Sequence, residues 1–158
     1  MPQPPIVDPA SIDFSHVEFD IEAIRQANKQ RFEMEQLTAV VRLDVADRLI
    51  IAYKDVAENE FWVRGHIPGR PLMPGVIMCE CAAQTASFFL CHALPKKPEF
   101  IGFGGMDGVR FRGQVVPGDR FVIIGRMEEI RSRISTLRAQ GFVGSKMVFE
   151  ATVHGIPM

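Results

Sequence analysis

Between Val76 and Cys91 the chain runs without glycine or proline and with one charged side chain, Glu80. A segment so uniformly apolar reads as a helix buried on nearly all sides, and the other elements must be arranged around it. The stretch just before it is its opposite. Pro68, Pro71 and Pro74 alternate with Gly65, Gly69 and Gly75, which excludes both helix and central strand and predicts a turn-rich loop. Pro74 and Gly75 fall where the helix should begin, and a proline's missing N–H is harmless in a first turn. Gln84 lies one turn beyond Glu80 on the same helical face.

Two side chains in this stretch carry chemistry. A lone carboxylate on an apolar helix is costly as the anion, which favours the neutral, proton-donating form. His66, on the loop, has a side chain that can accept a proton near neutral pH. An acid and a base are the parts an elimination needs. Taken singly, each has an ordinary structural reading: a hydrogen-bonded surface histidine, and a glutamate paired with a backbone N–H or an arginine.

The run His66-Ile-Pro-Gly-Arg-Pro-Leu-Met-Pro-Gly-Val76, followed by Glu80 and Ala83-Gln84, resembles the motif of the 3-hydroxyacyl-acyl-carrier-protein dehydratases of fatty-acid synthesis (FabZ type, with FabA as sister group). Met106-Asp-Gly-Val-Arg-Phe-Arg112 and Val115-Val-Pro-Gly-Asp119 extend the match, which runs from about Ile21 to the C-terminus. The resemblance implies an α+β hotdog fold, an antiparallel sheet wrapped around one long central helix. It implies His66 and Glu80 as catalytic residues, with Met73, Gly75, Val76, Gln84 and Phe103 binding substrate. A thioester carbonyl would lie against the unpaired N–H groups of Gly75 and Val76 at the helix start, where partial positive charge stabilises an enolate-like form. His66 would remove the C2 proton and protonated Glu80 would release the 3-hydroxyl as water, with Gln84 holding the carboxyl or the water. In the family the histidine of one subunit works with the acid of the other, so a homodimer is implied, with a trimer of dimers left open. The partner implied is acyl carrier protein, its 4'-phosphopantetheine entering as part of the substrate. Arg64, Arg70, Lys96, Lys97, Arg110 and Arg112 are candidate contacts for that acidic partner, and a solvated charge face explains them equally well.

Two stretches depart from the family. Relatives carry a Pro-His-Arg-Tyr-Pro-type segment where this chain has Lys29-Gln-Arg-Phe-Glu-Met-Glu-Gln36, with only Arg31 and the aromatic Phe32 retained. Many also have a gating tyrosine where this chain has Gly102. Isomerisation, the sister group's second activity, is disfavoured, because that group has Asp in place of Glu80 and Trp in place of Ala83. Two other readings stay open: a hotdog acyl thioesterase, and a non-catalytic acyl-thioester-binding subunit.

The rest of the chain fits one domain. It has 158 residues, 47% hydrophobic and 23% charged, with a net charge of −1. That is enough for a real core, and it lacks the basic footprint of a nucleic-acid binder. Residues 1–20, rich in Pro and Asp, read as a loosely packed N-terminal extension, and 21–158 as the domain. Met-Pro-Gln-Pro-Pro lacks a signal-peptide pattern, and Val76–Cys91 is short for a membrane span, so a cytoplasmic protein is expected. Cys79, Cys81 and Cys91 all lie in the apolar helix and read as core residues. No metal-ligand cluster is visible, and neither metal nor cofactor is expected.

Period-two patterning predicts strands over 37–45 and 48–56, over 100–107 and 109–112, and over 120–131, 133–142 and 146–156. A short helix is predicted over 21–29. His92 is placed at the helix C-terminus, and His16 and His154 on the surface.

Overall fold

The computed structural model describes residues 1–158. Six strands, β1 (Ala39–Asp44), β2 (Leu49–Asp55), β3 (Ile101–Phe111), β4 (Arg120–Glu129), β5 (Ser135–Val143) and β6 (Lys146–Pro157), form one antiparallel sheet in the order β1-β2-β4-β5-β6-β3. Its concave face wraps α2 (Gly75–Ala93). A short α1 (Ile21–Ala27) precedes the sheet, capped by the Asp20 side chain accepting from the Ala23 N–H at 3.0 Å.

The strands alternate as their sequences require. Ile50, Ala52, Phe121, Ile123, Leu137, Ala139 and Phe149 point at α2, whose Phe88, Phe89 and Leu90 are fully buried among them. Leu49, Ile51, Val122 and Ile124 point the other way, to a smaller apolar cluster on the convex face. The β5–β6 hairpin turns on two residues, with Gly144 at φ 57° in the first central position, as a type II′ turn needs. The two stretches predicted over 100–112 are one strand, β3, interrupted by irregularities between Phe103 and Gly105 and between Asp107 and Arg110.

Three expectations are modified. The N-terminal extension is not loose. Ile6, Val7, Ile12 and Phe14 pack on the convex cluster, and Ile6 N–H donates to Gln140 Oε1 at 2.8 Å. Helix α2 is longer than Val76–Cys91, and by length and composition could cross a membrane, yet here it lies inside the sheet. Nor is it buried all round: Val76 is 72% exposed, and Cys79, Glu80 and Ala83 continue a half-open stripe. Apart from Glu80 the residues of that stripe are small or apolar, so composition gave little sign of it.

Candidate functional site

His66 is placed by the loop that the prolines and glycines predict. Its N–H donates to the Trp62 carbonyl at 2.8 Å, and Trp62 is buried in the core. Its ring Nδ1 lies 2.7 Å from the Leu72 carbonyl oxygen. A carbonyl only accepts, so Nδ1 carries the proton and Nε2 keeps the lone pair. The next residue, Ile67, sits at φ 56°, a left-handed conformation that a β-branched side chain strongly disfavours. Beneath the loop a buried ion pair, Lys54 Nζ to Glu60 Oε1 at 2.9 Å, ties β2 to the loop's first turn. Met73 anchors the far end, its side chain in the core and its N–H donating to Val115 O at 2.9 Å. In the chain by itself it acts as a support.

Glu80 is half-buried on the open stripe of α2. Gln84, one turn on and buried, fixes it. Gln84 Oε1 accepts from the Gln36 N–H at 3.0 Å, and its Nε2 donates to the Met34 carbonyl at 2.6 Å and to Glu80 Oε1 at 2.8 Å. All of the amide's polar atoms are thereby committed, and its orientation follows from its partners. Glu80 Oε1 is occupied, and Oε2 has no partner in the chain.

The start of α2 leaves two backbone N–H groups without a partner in the chain. Pro74 provides no side-chain cap, and its carbonyl takes the N–H groups of Ile77 at 2.9 Å and Met78 at 3.4 Å. Those of Gly75 and Val76 have no acceptor in the chain. A Cβ on Gly75 would lie 2.8 Å from the Phe111 ring, so only glycine lets that ring stand over the helix start.

Glu80 lines a cleft of about 50 Å³ between α2 and the β3–β6 edge, together with Gln30, Ala83, Ser87, Gly102 and Phe103. His66 does not line it. Within one chain the two predicted residues therefore do not share that cleft. Gln30 and Ser87 were not singled out by the sequence, where each is one polar residue among many; only the fold shows that they meet Glu80.

The remaining candidates divide between bonded and unpaired side chains. Arg112 is committed to Glu150 through two hydrogen bonds, of 2.9 and 3.2 Å, which hold the Glu150 carboxyl below its usual range. Lys97 donates to Gln26 O at 3.1 Å, and Arg64, Arg70 and Lys96 are exposed without an ion-pair partner. His92 Nδ1 donates to Phe88 O at 2.8 Å, and His154 pairs with Asp107 at 2.7 Å on the sheet's other face. Burial pushes the Cys81 thiol up to about 12, so it is no nucleophile.

A curved antiparallel sheet around one long helix defines a hotdog-fold protein. The architecture matches the dehydratase heterocomplex ApeI:P from Xenorhabdus doucetiae, with a TM-score of 0.72, 11% identity, and 85% of this chain and 90% of that one covered. It also matches the sigma28-regulated virulence protein Cj0977 from Campylobacter jejuni, with a TM-score of 0.67, 13% identity, and 93% and 96% coverage. At these identities the likeness establishes the fold. Sequence goes further: the family model described as the FabA-like domain matches residues 28–152. The 3-hydroxyacyl-[acyl-carrier-protein] dehydratase FabZ of Streptococcus gordonii is 35% identical over 134 residues, covering 85% of this chain and 94% of its own. That of Streptococcus thermophilus is 37% identical over the same span. The chain belongs to the FabA-like dehydratase family.

Proposed function

We propose that the protein is a 3-hydroxyacyl-acyl-carrier-protein dehydratase, a hydro-lyase that reversibly removes water from a 3-hydroxyacyl thioester to give the trans-2-enoyl thioester in fatty-acid or related lipid synthesis. What carries the reading is the complementary way the two groups are held. His66 is pinned through Nδ1 with Nε2 left basic, and Glu80 is pinned through Oε1 with Oε2 left to carry a proton. His66 takes the C2 proton, and the electron pair of the broken C2–H bond forms the C2–C3 double bond. The C3–O bond breaks as Glu80 protonates the departing oxygen. The N–H groups of Gly75 and Val76 receive the thioester carbonyl as charge develops on it. Met73 supports the loop, Gln84 holds the acid, and Phe103, 62% exposed on β3, borders the acyl entrance.

Because His66 does not line the Glu80 cleft of its own chain, the working unit in this reading is a dimer that brings His66 of one copy to Glu80 of the other. The sheet offers one free edge for such an assembly. Glu18 and Phe19 bond to Val40 and cover the outer side of β1, which leaves β3 open. The unpaired Arg64, Arg70 and Lys96 are available to an acidic carrier protein. A thioesterase would need an activated water or nucleophile at the carbonyl, and no feature of the site favours that reading.

The test is enoyl-thioester hydration followed by absorbance. Wild type should turn over, and His66→Ala and Glu80→Gln should each lose roughly a hundredfold or more in rate while remaining folded. An inactive, folded wild type would move the assignment to a non-catalytic binder.

A further inference from the structure

Segment 29–36, where the sequence departs from the family's motif, is built around α2. Asn28 Nδ2 donates to the Gln84 carbonyl at 3.0 Å, and the main chain at Met34 and Gln36 clamps the Gln84 side chain. The Arg31 guanidinium clamps the same segment from outside, donating to the carbonyls of Arg25 at 2.9 Å, Asn28 at 2.9 Å and Gln30 at 2.6 Å. The Gln30 backbone is thus fixed from both directions.

Its side chain is not. The Gln30 amide makes no hydrogen bond in the chain, and its Oε1 is buried. A buried, unpaired amide oxygen is destabilising and calls for a partner. Asn28 Oδ1 and Gln36 Oε1 are also unpaired, but neither residue lines the Glu80 cleft, and Gln30 does. The residues lining this cleft therefore include a glutamate with one unpartnered oxygen and a glutamine whose amide has both a donor and an acceptor to offer.

We infer that Gln30 is a further catalytic residue, whose side-chain amide hydrogen-bonds the 3-hydroxyl and holds it as it becomes water. A hydroxyl, donor and acceptor at once, suits either orientation of the amide. As the C3–O bond breaks, the Glu80 proton passes to that oxygen, and the C2 proton taken by His66 completes the balance. Water leaves from the Gln30 amide. In the reverse direction the amide places the water that attacks C3. This role rests on the dehydratase reading above.

The experiment is steady-state hydration and dehydration kinetics on wild type, Gln30→Leu, Gln30→His and Glu80→Gln, with the melting temperature of each. Gln30→Leu removes hydrogen bonding at similar size. It should lower kcat about tenfold in both directions, as expected for one lost hydrogen bond to a group gaining charge. KM for the thioester should stay within about twofold, since the contact strengthens only in the transition state. Gln30→His, which keeps a donor and an acceptor, should recover most of the rate. Unchanged kcat in Gln30→Leu, a rise in KM alone, or equal losses in both Gln30 variants with a lowered melting temperature would each overturn the role. An active wild type with a silent Gln30→Leu removes the role alone. A wild type without turnover, or a fully active Glu80→Gln, removes the dehydratase reading and this role with it.

Discussion

At the scale of single residues, the site depends on atoms that are immobilised at one end. His66 is held by two hydrogen bonds, and the residue after it bears the cost. Ile67 at φ 56° is 46% exposed, so its burial does little to offset a left-handed backbone worth roughly 1–2 kcal/mol against a branched side chain. Ile67→Gly should raise stability by up to about 1 kcal/mol in a denaturant titration, after the glycine's own entropic cost of roughly 0.5–1 kcal/mol. It should also lower the hydration rate, because the chain beside His66 gains freedom. A variant neither more stable nor slower would show that the strain is not coupled to the site. The loop that holds His66 and the helix that carries Glu80 were legible in sequence because a rare composition marks each. The Ile67 conformation was not, since nothing about an isoleucine announces a positive φ that surrounding contacts impose.

At the scale of elements, α2 and the strands were legible from period and composition, and segment 29–36 was not. Its meaning lies in contacts that cross the chain, such as Gln36 to Gln84 over 48 residues, and no local pattern encodes these. The segment is further tied to α1 by Arg25, whose Nε donates to Glu35 Oε2 at 2.6 Å and whose second nitrogen donates to Oε1 at 3.0 Å. Those hydrogen bonds hold the Glu35 carboxyl below the ordinary glutamate value of 4.5. A depressed native value means that the pair stabilises the fold above 4.5 and that this contribution is lost as pH falls through the native value. Wild type and Arg25→Gln should therefore differ most in unfolding midpoint near neutral pH and converge in acid, once pH has fallen through the native Glu35 value. Because the segment holds Gln84, Arg25→Gln should also lower the hydration rate near neutrality. A constant gap across the acid range would place the effect of Arg25 in packing.

At the scale of the whole molecule, the sheet has two apolar faces and two separate solutions for covering them. The concave face closes on α2 and borders the cleft that Glu80 lines. The convex face, with Val41, Leu49, Ile51, Tyr53, Val122, Ile124 and Phe142, is closed by the N-terminal extension. There Arg120 lies over the rings of Phe14 at 5.1 Å and Tyr53 at 4.1 Å while its guanidinium bonds both oxygens of Asp55. The aperiodic spacing of Ile6, Val7, Ile12 and Phe14 hid this strap from the sequence, which is why residues 1–20 read as loose. Removing residues 1–16 leaves the Phe19–Val40 bridge but uncovers the convex cluster. Four half-buried apolar side chains at about 1 kcal/mol each predict a loss of roughly 3–4 kcal/mol in stability. The bared patch should bind a hydrophobic dye and promote self-association visible by sedimentation. Turnover per folded molecule should persist, because the strap and the site lie on opposite faces. Equal stability and no dye binding in the truncated chain would show that the strap is dispensable. A specific loss of rate without dye binding would show that the two faces are coupled through the strands, making the extension part of the site's support.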